Sequence, residues 1–168
     1  MKKLTVLIFA MTAISCQQNK IGFVDNVKLL DGYQEKVDVE AKFNVKVDGL
    51  TKKRDSISKA FQLELQEFQS LAQSMSQKNA QEQYNLLQQR GQFVAQQLQQ
   101  EEQALQQNSQ TEMDSLVKKV KDEIKSYGKA NGFTYILGGG DGGSVLYGVE
   151  AQDLTDELLQ ILNDKYKK

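Results

Sequence analysis

Residues 61–98 read FQLELQEFQSLAQSMSQKNAQEQYNLLQQRGQFVAQQL. They lie at the centre of a stretch, residues 34–127, that holds no proline and is rich in Gln, Lys and Glu. Proline is the main helix breaker and Gln a good helix former, so this composition favours long helices. Apolar residues recur at three-and-four spacing, as in Phe61, Leu65, Phe68, Ala72 and Met75, and again in Met113, Leu116, Val120, Ile124 and Tyr127. That regularity distinguishes the stretch from a disordered Gln-rich tract.

The two halves mirror each other about Asn79. Met75 pairs with Tyr84, Ala72 with Leu87, Leu65 with Val94, Phe61 with Leu98, Phe43 with Leu116 and Val39 with Val120, in each case at positions summing to 159. An antiparallel helical hairpin is expected, with its tip near residues 76–80, where Ser, Asn and Lys suit a short turn. Each helix would run for about 45 residues, or near 65 Å at the usual rise. In this register Phe68 faces Gly91, the glycine making room for the ring, while Ile57 faces Glu102 and Leu50 faces Ser109. Such a seam is thin and interrupted by polar residues, so the arm should be flexible. Off-seam Leu63, Leu71, Leu86 and Phe93 should stay partly exposed, and together with Phe61 and Phe68 they are the candidate contacts for a partner.

Outside the arm the chain is short. The full sequence has 168 residues, 39% hydrophobic and 26% charged, and subtracting the arm leaves about sixty for a head, where a single core is marginal and self-association is the simplest remedy. Ile21-Gly22-Phe23-Val24 reads as a strand, and Asp25 or Asn26 can cap the helix that follows. Gly128 and Gly132 mark the end of the arm. Phe133, Tyr135 and Leu137 alternate as a strand, and a turn through residues 138–143 leads to a second one over 144–147. A phosphate-cradling glycine loop would feed a helix N-terminus, so a hairpin turn is the better reading. Asp153 or Thr155 caps a last amphipathic helix bearing Leu158, Leu159, Ile161 and Leu162, which should cover the sheet. Ile21, Phe23, Phe133, Tyr135, Leu137, Val145 and Tyr147 are the candidate core of this head. The fold class expected is α+β, predominantly α: a small β head at 21–33 and 128–168, and a helical hairpin at 34–127.

The first fifteen residues have the layout of an export signal: Lys2 and Lys3, an apolar run over 4–11, and small residues before Cys16. That run is too short to span a bilayer. Ala13-Ile14-Ser15-Cys16 resembles a bacterial lipobox, which implies acylation of Cys16 and a tether over 16–20. The other reading is a soluble exported protein with an incidental thiol. Removing the signal leaves 19 basic against 22 acidic residues, a net charge of −3 that does not suggest nucleic acid as a partner.

Nothing in the chain is arranged for catalysis. There is no His, the one Cys is assigned to the anchor, and no Ser or Asp sits in a recognisable catalytic setting. Adjacent pairs such as Glu101-Glu102 and Asp122-Glu123 diverge on a helix, so they read as solvated faces; no metal or other cofactor is expected.

The order IGFVDNVKLL, long hairpin, NGFTYIL, SVLYG and DLTDELLQILN resembles the OmpH/Skp family of periplasmic chaperones. That resemblance implies a homotrimer with a central β-body, from which three hairpins surround a cavity that holds unfolded outer-membrane proteins without ATP. Tentacles of that family are typically basic, whereas residues 60–117 here carry Lys78 and Arg90 against seven carboxylates, a net charge of −5. Such an arm would gain little from an anionic membrane surface, and acylation of Cys16 is the expected route to the membrane. The rival is a structural coiled-coil lipoprotein spacing the envelope, which would benefit from the unbroken heptads that this seam lacks.

Overall fold

The computed structural model describes residues 19–167, so the expected export signal and Cys16 lie outside the described residues. Two compact units emerge: one combines the chain up to Gly32 with the chain from Val120 onward, and the other is Tyr33–Lys119. The fold is predominantly helical with a small β part, the class expected.

In the first unit, strand β1 (Ile21–Asp25) pairs with β2 (Tyr135–Gly139) in parallel, Ile21 opposite Tyr135 and Asp25 opposite Gly139. A parallel pair cannot be closed by a tight turn and needs a long crossover, which here comprises residues 26–134. Asp25 ends β1 and starts helix α1 (Asn26–Gly32), its Oδ1 accepting the N–H groups of Val27 and Lys28 at 3.0 Å each. After a 3-10 turn at Glu150–Gln152 comes helix α4 (Thr155–Tyr166), with Asp156 and Glu157 in its first turn. Leu154 takes the N-cap position and Thr155 is the first helical residue, so neither expected residue is the N-cap itself; Asp153, one place further out, accepts the Thr155 N–H on its Oδ1 at 2.9 Å.

Val24, Leu29, Val120, Leu154, Leu158 and Leu162 are the buried apolar residues of this unit. Leu29 and Leu158 are wholly inaccessible, and α1 approaches α4 closely at Gly32, where a Cβ would stand 2.6 Å from Leu159 Cδ2. Asn163 Nδ2 donates to the Gly32 carbonyl at 3.2 Å, satisfying a group at the end of α1.

The glycine segment does not form a hairpin. Gly140 and Gly142 adopt φ of +76° and +79°, Gly143 N–H donates to the Gly140 carbonyl at 2.9 Å, and Val145 N–H donates to the Gly138 carbonyl at 3.1 Å. The chain curls so that Val145 meets Gly139 in a single parallel bridge. Residues 144–147 are therefore irregular, because a hairpin would need an antiparallel ladder. Phe133 also falls outside β2 and lies before it, under the Lys20 ammonium at 4.1 Å from the ring centroid.

The second unit is a pair of antiparallel helices. Helix α2 (Gln34–Ala72) has 39 residues, and helix α3 (Gln77–Ala130), which runs on into the first unit, has 54. The turn occupies residues 73–76, ahead of the expected centre; Ser76 Oγ accepts the Asn79 N–H at 3.3 Å and so starts α3. Gly91 faces Phe61, not Phe68, and the Phe68 ring instead meets Tyr84, centroids 6.1 Å apart. These positions sum to 152, seven less than the register expected. Because a heptad pattern is unchanged by a slip of seven, periodicity alone cannot separate the two registers. The early turn selects the one observed.

Candidate functional site

The surface of the hairpin follows from how little its two helices can bury. Between residues 44 and 115 no side chain is fully buried; Phe43 and Leu116 bound that span. Two helices without a third partner cover only one stripe of each, and the rest faces solvent.

Across the seam run ion pairs: Glu35 with Lys119, Lys42 with Glu112 at 2.6 Å, Lys53 with Glu101 at 2.5 Å and Glu64 with Arg90 at 2.6 Å. These were hidden in the sequence by the slipped register, in which Lys53 falls opposite Gln106. The positions of each pair sum to 154, a ladder visible once the turn is placed correctly. Burial pushes the Glu35 carboxyl upward, but hydrogen bonds from Lys119 and Tyr33 outweigh it and hold the group below its usual range. Both cations of residues 60–117 are neutralised, Arg90 by Glu64 and Lys78 weakly by Glu82 at 4.0 Å. Glu67 and Glu102 have no ion-pair partner among the described residues.

The candidate contact residues divide in two. Phe61 and Phe68 are half-buried members of the seam, against Gly91 and Tyr84. Leu63, Leu71, Leu86 and Phe93 are each more than half exposed. Leu86 and Phe93, seven apart, share a stripe of α3. Open grooves follow the seam, among them one of about 420 Å³ between Phe43, Leu50, Leu98 and Leu105, one of about 440 Å³ between Ile57, Phe61, Val94 and Leu98, and one of about 290 Å³ near the turn between Phe68, Leu71, Met75, Leu86 and Leu87.

In the first unit, the candidate core residues are mostly not buried within one chain. Ile21, Tyr135, Leu137 and Tyr147 are exposed, while Phe23, Phe133 and Val145 are half-buried. Leu146, 98% exposed, was missed: read as a strand, 144–147 would turn Leu146 away from Val145 and Tyr147, but the irregular chain presents Leu146 and Tyr147 together. An open groove of about 470 Å³ lies between Ile21, Phe23, Leu137, Val145, Leu146 and Tyr147. The structure shows no helix, among the described residues, long and apolar enough to cross a membrane.

Residues 20–162 match the family model described as Outer membrane protein (OmpH-like). The chain is also similar in fold to the crystal structure of a candidate outer membrane chaperone (OmpH-like) from Caulobacter crescentus CB15. The TM-score is 0.78 at 13% identity, over 88% of this chain and 86% of that one. No curated protein matches.

Proposed function

The chain belongs to the OmpH-like outer membrane protein family, and from that membership we propose that it is a holdase, binding unfolded outer-membrane proteins without ATP between the arms of a homotrimer. The family supports a chaperone-like, non-enzymatic role in general, in the periplasm. The observation that carries the finer reading is the arm: a seam without a fully buried residue from 44 to 115, with Leu63, Leu71, Leu86 and Phe93 left in solvent. A stiff spacer would bury such residues against a further helix. A holdase uses them as many weak contacts that keep a client's apolar segments from pairing with other chains.

The exposed Ile21, Tyr135, Leu137, Leu146 and Tyr147 support self-association through the β unit, since an apolar surface of this kind calls for a partner. Acylation of Cys16 would hold the assembly at a membrane. A Cys16→Ala variant should then be released into the soluble periplasmic fraction; continued membrane retention would rule the anchor out.

The chaperone reading is tested by diluting an unfolded outer-membrane barrel protein out of denaturant, with and without the chain, and following turbidity. Suppression at a few-fold excess of trimer is expected. No suppression leaves the spacer reading.

A further inference from the structure

The groove beside the turn is floored by Phe68, Leu71, Met75, Leu86 and Leu87. At about 290 Å³ it is below the usual size of a small-molecule site, and it is open along its length, which suits one or two side chains of an extended polypeptide. The Met thioether and flexible Leu side chains adapt to varied partners. At the rim the charges do not balance: Glu64 and Arg90 neutralise each other at 2.6 Å, leaving exposed Glu67 without an ion-pair partner among the described residues. The wider span 60–117 carries −5. The Phe68–Tyr84 ring pair beside the floor adds a π surface that attracts cations.

We propose that this groove seats unfolded segments in which a lysine or arginine stands next to apolar side chains, so that the chain selects cationic over anionic clients. The inference rests on the holdase reading and specifies its substrate class. Contact with the apolar floor serves either kind of client, and Glu67 supplies the preference, because a carboxylate beside a groove of mixed polar and apolar lining favours a cation and repels a second carboxylate.

The test uses the full chain and two fluorescent, unstructured peptides of identical apolar residues, one with lysines and one with glutamates at the polar positions. Binding is read by anisotropy at low and high salt. The lysine peptide should bind about three- to tenfold more tightly at low salt, with the margin shrinking as salt screens the charges. Glu67→Lys should abolish that margin, whereas Leu71→Ser with Leu86→Ser should weaken both peptides. Equal or tighter binding of the glutamate peptide, or an unchanged margin in Glu67→Lys, overturns the proposal. If the chain still suppresses aggregation of an unfolded barrel protein in that case, the holdase reading stands without it. If it neither binds the peptides nor suppresses aggregation, both fall.

Discussion

The Phe61 ring meets the backbone of Gly91, where a Cβ would stand 2.9 Å from Phe61 Cζ. The glycine thus has a packing reason. Gly49, the other mid-helix glycine of the arm, has none: nothing lies within 4 Å of its would-be Cβ. Gly49→Ala should therefore stabilise the arm by about 1 kcal/mol, the helix-propensity difference. Gly91→Ala gains the same propensity but must displace the ring, so its net effect should be smaller or destabilising. Thermal melts of the two variants check this, and an equal gain from both would contradict the Phe61 contact.

The observed register makes Lys53–Glu101 an ion pair at 2.5 Å, with both side chains about half exposed. Lys53→Glu should cost up to about 1 kcal/mol, as is usual for an exposed pair. Adding Glu101→Lys should restore most of that loss; adding Gln106→Lys, the partner in the slipped register, should not. A double-mutant cycle on melting temperature measures the difference.

How far the sequence could be read is clearest along this seam. The hairpin followed from the repeat of apolar residues, because burial of one stripe imposes that period on any paired helix. Which residues oppose one another did not follow. Phe68 was set against Gly91 and Phe61 against Leu98, and the structure moves each by one heptad. The deciding information lies in residues 73–76, where polar side chains end α2 several residues before the mirror point. In the other unit the helix starts were legible to within a residue or two, as Asp25 or Asn26 and as Asp153 or Thr155, because the chemistry that satisfies the first N–H groups is local; Asp25 and Asp153 are the ones that accept them. The fate of residues 144–147 was not, since it depends on the positive φ of Gly140 and Gly142. Exposure of Leu63, Leu71, Leu86 and Phe93 was foreseeable from their positions off the seam. Glu67's lack of an ion-pair partner depends on where Arg90 reaches.

Glu35 lies at the start of α2 and carries a carboxyl held below its ordinary range. A depressed carboxyl adds stability above its unfolded pKa of about 4.3 and loses it as pH falls through the lower folded value. Acid should therefore loosen this end of the arm, and Glu35→Gln should flatten that dependence. Helicity followed by circular dichroism from pH 6 down to pH 2 checks it; an unchanged acid limb in the variant would remove Glu35 as the cause.

Tyr127 titrates late. Burial pushes its phenol up to about 12, helped by the hydrogen bond to Glu157 and that residue's negative charge. A raised folded pKa means that the contribution is complete below the unfolded value of about 10 and is lost as pH rises from 10 towards 12. The ultraviolet phenolate titration of the six tyrosines should contain a step near 12 that Tyr127→Phe deletes. If the step survives in the variant, it belongs to another ring.

Thr155 is fully buried and its hydroxyl joins β1 to α4: it accepts the Asp25 N–H at 2.9 Å and donates to Asp153 Oδ1 at 2.5 Å. Thr155→Val keeps the shape and removes both bonds, leaving a part-buried backbone N–H without its partner. That should cost about 1–3 kcal/mol, the penalty for an orphaned buried donor. Thr155→Ser keeps the hydroxyl and loses one methyl, which costs about 0.8 kcal/mol. Leu158→Ala, at a side chain with no exposed surface, sets the scale at about 2–5 kcal/mol. Denaturant midpoints must be compared at one protein concentration, because self-association would shift all of them together. The order expected is Ser mildest, Val intermediate and Leu158→Ala most damaging. If Val is no worse than Ser, the methyl packing of Thr155 matters and its hydrogen bonds do not.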